Sequence, residues 1–186
     1  MKIPWKRNKK SIGLVEFALI LVDLKFEDDR IINHFTKLSE GIESVDTKSA
    51  STRFWEYLVL DLFTDRCCFM SVFSQEIIQP LFQTYYSNIL IRLAAKGYKI
   101  DNLPEFEALF NKRETEYTEY LHEYSPEYMK NLPDNYVPGL GKAFSMNFAG
   151  CEDPRIIHAA SWDFVQKLEH IGKYLREIAE EYEIEV

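Results

Sequence analysis

The chain has 186 residues, a length typical of one domain, and 46% of them are hydrophobic. Its formal net charge is −8, from 30 acidic and 22 basic side chains. Because nucleic-acid binding takes most of its affinity from Lys and Arg that neutralise phosphates, this balance excludes general nucleic-acid binding.

The first ten residues are basic, whereas the rest of the chain is acidic. They carry five positive charges and no acid, so residues 11–186 carry a net charge of −13. We predict a basic N-terminal arm over residues 1–10 and a single domain over residues 11–186. The apolar stretch from Phe17 to Val22 lies between Glu16 and Asp23, and it is too short for a membrane span or a signal core. We therefore expect a cytoplasmic protein with no membrane span.

A long first helix is predicted from about Ser11 to Leu38. Charged residues recur along it at helical spacing and indicate one narrow solvent-facing stripe, which consists of Glu16, Asp23, Glu27, Arg30, His34 and Lys37. The other positions are mostly Leu, Ile, Val and Phe. We therefore expect the helix to be buried on most of its circumference.

Capping residues, prolines and glycines predict the elements that follow. Residues 41–50, rich in Ser and Thr, are predicted as a loop. The next predicted helices cover residues 51–73, 74–97, 102–124 and 126–132. Residues 133–154, rich in proline and glycine, are predicted as a long loop with a short helical piece near residues 142–148.

The last helix has the clearest sequence signal. Asp153 is a capping residue, Pro154 suits a first turn, and apolar residues then repeat at alternating spacings of four and three. This heptad seam consists of Phe164, Leu168, Ile171, Leu175, Ile178 and Tyr182. Together the elements predict an all-α, single-domain helical bundle of about five or six helices with a long C-terminal helix.

The heptad seam also raises the question of self-association. At about 1.5 Å per residue the last helix is roughly 43 Å long, as long as a domain of this size is wide. A seam that the domain does not cover completely favours a homodimer through Leu168, Ile171, Leu175 and Ile178. The alternative is that the same four residues pack in the core of one chain.

Glu119 and His122 form a Glu-x-x-His pair on the predicted 102–124 helix. This spacing places a carboxylate and an imidazole on one face, as the di-iron carboxylate bundles require. A complete site needs a second such pair, and none of His34, His158 and His170 has an acid three positions before it. We therefore predict no bound metal, with Glu119 and His122 as weak candidates.

Asp61 lies in an apolar run from Leu58 to Phe63. If buried, its carboxylate would have a raised pKa and could serve acid–base chemistry. The alternative is that Asp61 and Asp65, one turn apart, form the exposed edge of the helix with Arg66 nearby. We favour the exposed edge, because no second converging catalytic group can be named.

Four tyrosines follow one another at spacings of three, four and four: Tyr117, Tyr120, Tyr124 and Tyr128. Tyrosine combines ring area with a hydroxyl, which suits protein interfaces and ligand pockets. A stripe at the edge of the core explains the same pattern, so both interpretations stay open.

No motif for a nucleophile or a nucleotide-binding loop is present in the sequence. The three cysteines match neither a disulfide framework nor a zinc spacing, and we interpret them as packing residues. We expect no cofactor, and a non-catalytic role is favoured over an enzyme.

The favoured hypothesis is a cytoplasmic interaction or regulatory protein that binds another protein through an acidic, tyrosine-containing surface. The alternative is a small-molecule-binding helical bundle, with an apolar pocket between the region of Trp55 and Phe63 and the last helix. A carboxylate-bridged metal enzyme is the third hypothesis.

Overall fold

The structure is a computed structural model that describes residues 9–40, 42, 49–98, 103–122 and 137–185. Within these ranges the chain forms seven α-helices and two short strands, which confirms the predicted all-α bundle with a long C-terminal helix. The helices are α1 (Leu14–Phe26), α2 (Arg30–Ser39), α3 (Ala50–Met70), α4 (Gln75–Ala95), α5 (Leu103–His122), α6 (Pro138–Ala149) and α7 (Pro154–Glu181). The predicted helix over residues 126–132 lies outside the described residues.

Helix α3 is the centre of the bundle and packs against α2, α4, α5, α6 and α7. Its sequence is apolar around the whole circumference, so neighbouring helices must cover it on every side. Ser49 caps its first turn by accepting a hydrogen bond from the Thr52 amide at 3.2 Å. Buried acids interrupt the apolar residues of α3, and these acids become central to the site.

The predicted first helix is divided into two helices by a short 3-10 turn over Glu27–Asp29. Asp28 and Asp29 there adopt left-handed backbone conformations with φ of 55° and 53°. Aspartate tolerates this region better than most residues, which lets the chain change direction without glycine. As a result α1 packs on α4, while Phe35 of α2 packs on Phe54 of α3 with ring centroids 5.1 Å apart.

The solvent-facing stripe of this segment is exposed along its whole length, as predicted. The prediction that the other faces are buried is wrong for part of α1, where Val15, Leu19 and Ile20 are exposed. A pattern of apolar residues shows which faces could be buried, whereas the number of available neighbours decides which faces are buried.

The two strands join the ends of the described chain. Strand β1 (Lys10–Gly13) pairs in parallel with β2 (Tyr182–Glu185), so residues 10–13 are not the start of the first helix. Ile12 lies opposite Ile184 in this register, and both pack against the core. Of the predicted basic arm, residues 1–8 lie outside the described residues, while Lys10 pairs with Glu181 at 2.7 Å.

Helix α6 occupies most of the stretch that was predicted as a loop. It begins at Pro138, which suits a first turn, and it ends at Gly150 in a left-handed conformation. Its buried face lies directly against α7, with Gly141 at the point of close approach. Among the helices of the described ranges, none combines the length and hydropathy that crossing a membrane requires.

Candidate functional site

A cleft of about 510 Å³ opens between α1 and α2 on one side and α7 on the other, with α3 at its floor. The kink at residues 27–29 forms one edge of the cleft, because residues on both sides of the kink line it. The apolar and aromatic part of the walls consists of Leu21, Leu24, Ile31, Tyr57, Phe69, Tyr85, Ile171 and Tyr174, and charged or polar side chains form the rest of the lining. We refer to this space as the α3 cleft.

Asp61 lies at the floor of the α3 cleft between two lysines. The Lys167 ammonium contacts Asp61 Oδ1, and the Lys25 ammonium lies 2.5 Å from Asp61 Oδ2. Burial alone would raise the pKa of Asp61, but the Lys167 and Lys25 charges outweigh burial and hold that pKa well below its usual value. Asp61 is therefore a buried carboxylate that stays ionised.

Asp65, one turn further along α3, completes the cluster. Its Oδ2 accepts hydrogen bonds from the Lys25 ammonium and from the Tyr85 hydroxyl, the latter at 2.8 Å. Burial raises the pKa of Asp65 above its usual value, and the neighbouring Asp61 charge adds to this effect, although Lys25 opposes it. Burial and Asp65 also raise the pKa of Tyr85, which therefore remains a neutral hydroxyl donor.

These contacts define a charged cluster that consists of Lys25, Asp61, Asp65, Tyr85 and Lys167. The two carboxylate side chains are each 4% exposed, whereas the side chains of Lys25 and Lys167 are 11% and 22% exposed. The formal charges of the cluster cancel, which satisfies the requirement that buried charges be paired.

The prediction that Asp61 and Asp65 form an exposed helix edge is wrong. Both are buried, because α1 and α7 cover this face of α3 and each supplies a lysine to it. Sequence reasoning missed Lys25 and Lys167 as the partners. The available signal for Lys25 was a lysine between Leu24 and Phe26, off the solvent-facing stripe of the first helix.

A second buried ion network lies on another face of α3. The guanidinium of Arg113 in α5 holds Glu56 with two hydrogen bonds, from Nη2 to Oε1 at 2.6 Å and from Nε to Oε2 at 2.9 Å. Its Nη1 donates to Glu116 at 2.9 Å, and Asn147 of α6 donates to the same carboxylate at 3.1 Å. This network joins α3, α5 and α6, and neither Glu56 nor Arg113 lines the α3 cleft.

Of the predicted weak metal candidates, the structure describes the side chain of Glu119 alone. Glu119 is exposed on α5, and the side chain of His122 lies outside the described part of the chain. Within the described residues no three His, Cys, Asp or Glu side chains are grouped so that they could hold a metal ion.

The predicted tyrosine stripe is only partly described. Tyr117 is fully buried, with its ring 5.5 Å from that of Phe63, so it is a core residue and does not belong to a surface. Tyr120 is half-buried, and its ring lies against Gly139 of α6. Tyr124 and Tyr128 lie outside the described residues. The part of the stripe that can be placed is therefore the edge of the core.

The heptad seam of the last helix packs largely within the chain. Leu175 is fully buried, which corrects its assignment to a partner surface, and Leu168, Ile171 and Ile178 are partly buried against the core. Ile171 also lines the α3 cleft. The seam faces the bundle because α7 packs against both α3 and α6.

Between the Trp55–Phe63 region and the last helix, Tyr57 and Asp61 line the α3 cleft, whereas the sides of α3 that carry Trp55 and Phe63 are filled by aromatic packing. Phe63 stacks on Phe164 of α7 with centroids 6.2 Å apart, and Trp55 meets Phe106 of α5 with centroids 5.9 Å apart.

The cysteines Cys67 and Cys68 are packing residues. Cys68 is buried, and burial raises the pKa of Cys67 to about 12, so the Cys67 thiol is not activated.

No protein-family model matches the chain. No curated protein sequence and no solved structure matches it significantly either.

Proposed function

We propose that this protein is a small-molecule-binding helical bundle whose ligand occupies the α3 cleft. The observation that carries this proposal is a space of about 510 Å³ with apolar walls and a cluster of ion pairs at its floor. Ligand sites are typically concave spaces of about 300–1,000 Å³ with mostly apolar walls and a few convergent polar groups. The α3 cleft has each of these properties.

A second hollow beside the α3 cleft supports binding of an elongated ligand. A second hollow of about 440 Å³ adjoins it and shares His34, Tyr57 and Asp163 as lining residues. The two spaces therefore meet along α2 and α7, and an elongated molecule could extend from one into the other.

Binding of a neutral, apolar naphthylamine dye tests this proposal. We expect the dye to bind with one site, and we expect Leu24→Trp to weaken it at least tenfold, because Leu24 lines the α3 cleft and the indole would fill it. Leu19→Trp is the matched control, since Leu19 lies on the same helix and is similarly exposed but does not line the cleft. Fluorescence titration gives both affinities.

Two outcomes would contradict the proposal. One is that the wild-type protein does not bind the dye; the other is that both tryptophan variants weaken binding equally, which places the dye on the exposed face of α1. Native mass spectrometry of freshly purified protein provides a second measurement, because a ligand of high affinity adds its own mass to that of the chain.

A second candidate function is binding of another protein in the cytoplasm, and one observation favours it. The outer face of α1 exposes Val15, Leu19 and Ile20 beside the exposed acid Glu16. Exposed apolar residues at helical spacing are typical of a helix that packs on a partner. The proposals of a protein partner and of a homodimer therefore rest on α1 more than on the tyrosine stripe or the seam.

A further inference from the structure

We infer that the α3 cleft receives the carboxylate of an apolar-bodied organic acid, which the ammonium groups of Lys25 and Lys167 bind. This inference rests on the small-molecule function proposed above. It identifies the chemical class of the ligand from three features of the α3 cleft: the unused donors of its lysines, the ion pairs that its aspartates already make, and its apolar walls.

The lysines have more donors than the cluster uses. Each ammonium carries three N–H groups. Lys25 contacts Asp61 and Asp65, and Lys167 contacts Asp61, so about half of the six N–H groups have an acceptor among the described residues. Both lysines line the α3 cleft. An acceptor group that enters the cleft can therefore bind to both lysines without displacing an aspartate.

The aspartates are poorly placed to bind a cationic ligand. Asp61 lies between the two ammonium groups, and Asp65 already accepts from Lys25 and from the Tyr85 hydroxyl. Their side chains are less exposed than those of the lysines. Each carboxylate already lies beside a lysine charge, which would repel an incoming ammonium.

The acids at the rim are the remaining rivals for a cationic group. Glu27 pairs with Arg30 at 3.3 Å, which leaves Asp163 as the acid that could attract an ammonium from solution. The Lys167 charge acts on Asp163 and opposes its attraction for a cation. The arrangement of charges at the floor and at the rim of the α3 cleft therefore favours an anionic head group on the ligand.

The body of the ligand follows from the walls. Leucine, isoleucine and aromatic side chains surround the charged floor, and burial of apolar surface is what drives a ligand into such a space. A small inorganic anion would leave these walls in contact with water. An acid with an aryl or alkyl body satisfies both the donors and the walls.

A matched series of ligands tests the inference by competition with the naphthylamine dye. Phenylbutyrate, phenylbutanol and phenylbutylamine share one body and differ in the head group. We expect the acid to compete at least about tenfold more strongly than the alcohol, because charge-assisted hydrogen bonds are stronger than neutral ones. The amine should compete most weakly.

Variants of Lys167 test the residue assignment. Lys167→Met should remove the preference for the acid while dye binding persists, and Lys167→Arg should retain the preference, because arginine keeps the charge and the donors. Lys173→Met is the control, since Lys173 is exposed on the same helix and does not line the cleft. If Lys167→Met does not fold, Lys25→Met provides the same comparison.

The outcomes separate this inference from the proposed function. If the three compounds compete equally, or if the amine competes best, the inference is overturned while small-molecule binding stands. An acid preference that persists in both Lys167→Met and Lys25→Met also overturns it. If the dye itself does not bind, small-molecule binding fails, and the inference fails with it.

Discussion

Helix α3 carries two buried ion networks that differ in what surrounds them. At about 100° per residue, Asp61 and Asp65 are roughly 140° and 180° around the helix from Glu56, so the two networks lie on nearly opposite faces. Glu56 meets Arg113 in a space that α5 and α6 fill. Asp61 and Asp65 meet lysines that line a cleft.

The chemistry of the cations matches this difference. A guanidinium is a rigid fork that can hold a carboxylate with two parallel bonds, as Arg113 holds Glu56. An ammonium is a point charge with three donors on a flexible stem, and both Lys25 and Lys167 line the cleft. The Glu56–Arg113 network joins helices, whereas the network at the α3 cleft is the one that we propose also binds a ligand.

The largest expected effect comes from breaking the network of Glu56, Arg113, Glu116 and Asn147, which we call the closed network because it does not line the cleft. Arg113→Met removes the guanidinium and leaves Glu56 buried without its partner. We expect the free energy of unfolding to fall by about 3–5 kcal/mol, the usual cost of removing one partner of a buried pair. Urea denaturation measures this change, and the dye affinity of the folded variant should equal that of the wild type.

The control for this prediction is a surface ion pair. Arg92 and Asp23 pair across α4 and α1 with both side chains more than one-third exposed, so Arg92→Met should cost about 1 kcal/mol or less. Equal costs for Arg113→Met and Arg92→Met would contradict a structural role for the closed network. A loss of dye affinity in folded Arg113→Met would contradict the separation of the two networks.

The next largest effect concerns the close contact between α6 and α7 at Gly141. A Cβ at Gly141 of α6 would lie 2.5 Å from the Ile157 carbonyl oxygen of α7 and would clash with the Ser161 hydroxyl. Because a backbone atom cannot move aside easily, we expect Gly141→Ala to lower the free energy of unfolding by about 1–3 kcal/mol. Gly13→Ala is the control, since a Cβ there meets nothing within 4 Å and its φ is −66°.

Thermal unfolding of the two alanine variants decides this prediction. Gly13→Ala should match or slightly exceed the wild type, because alanine restricts the unfolded chain more than glycine does. Equal stability of Gly141→Ala and Gly13→Ala would show that α6 and α7 can separate locally. The contact between α6 and α7 would then not be packed more rigidly than the α3 cleft.

The helices were largely predictable because their signals are local. Capping residues, prolines and apolar periodicity depend on neighbours in sequence, and they identified α3, α4, α5 and α7 to within a few residues. The break at Asp28 and Asp29 was missed because two aspartates in left-handed conformations leave no glycine or proline as a marker. The β1–β2 pair was missed because strands of four residues carry almost no pattern.

The charged cluster was much harder to predict than the fold. Asp61 was recognised as the acid in the most apolar surroundings, yet its burial depends on helices that come from distant parts of the sequence. Lys25 lies 36 positions before Asp61, and Lys167 lies 106 positions after it. Sequence spacing within one helix cannot reveal such partners, so the exposed-edge interpretation prevailed.

The smallest expected effect is a pH dependence inside the cluster on the cleft side. The folded-state pKa of Asp61 is lowered, so its contribution to stability is present above its unfolded pKa of about 3.9 and is lost as pH falls. The folded-state pKa of Asp65 is raised, so Asp65 contributes stability at low pH. This contribution is lost as pH rises through the folded-state pKa of Asp65. The two aspartates therefore act in opposite directions.

Replacing each aspartate by asparagine should separate these contributions. Asp61→Asn should make the loss of stability on acidification shallower than in the wild type, whereas Asp65→Asn should make it steeper. We expect differences on the order of 1 kcal/mol between neutral pH and pH near 3, since one pKa unit corresponds to about 1.4 kcal/mol. Urea unfolding across this range measures the slopes, with Asp23→Asn at the surface as the control. If the slopes change in the same direction for Asp61→Asn and Asp65→Asn, the two carboxylates do not have pKa values shifted in opposite directions, and the prediction is wrong. Opposite changes would identify Asp61 as the carboxylate that stays charged and Asp65 as the one that can take up a proton beside the cleft.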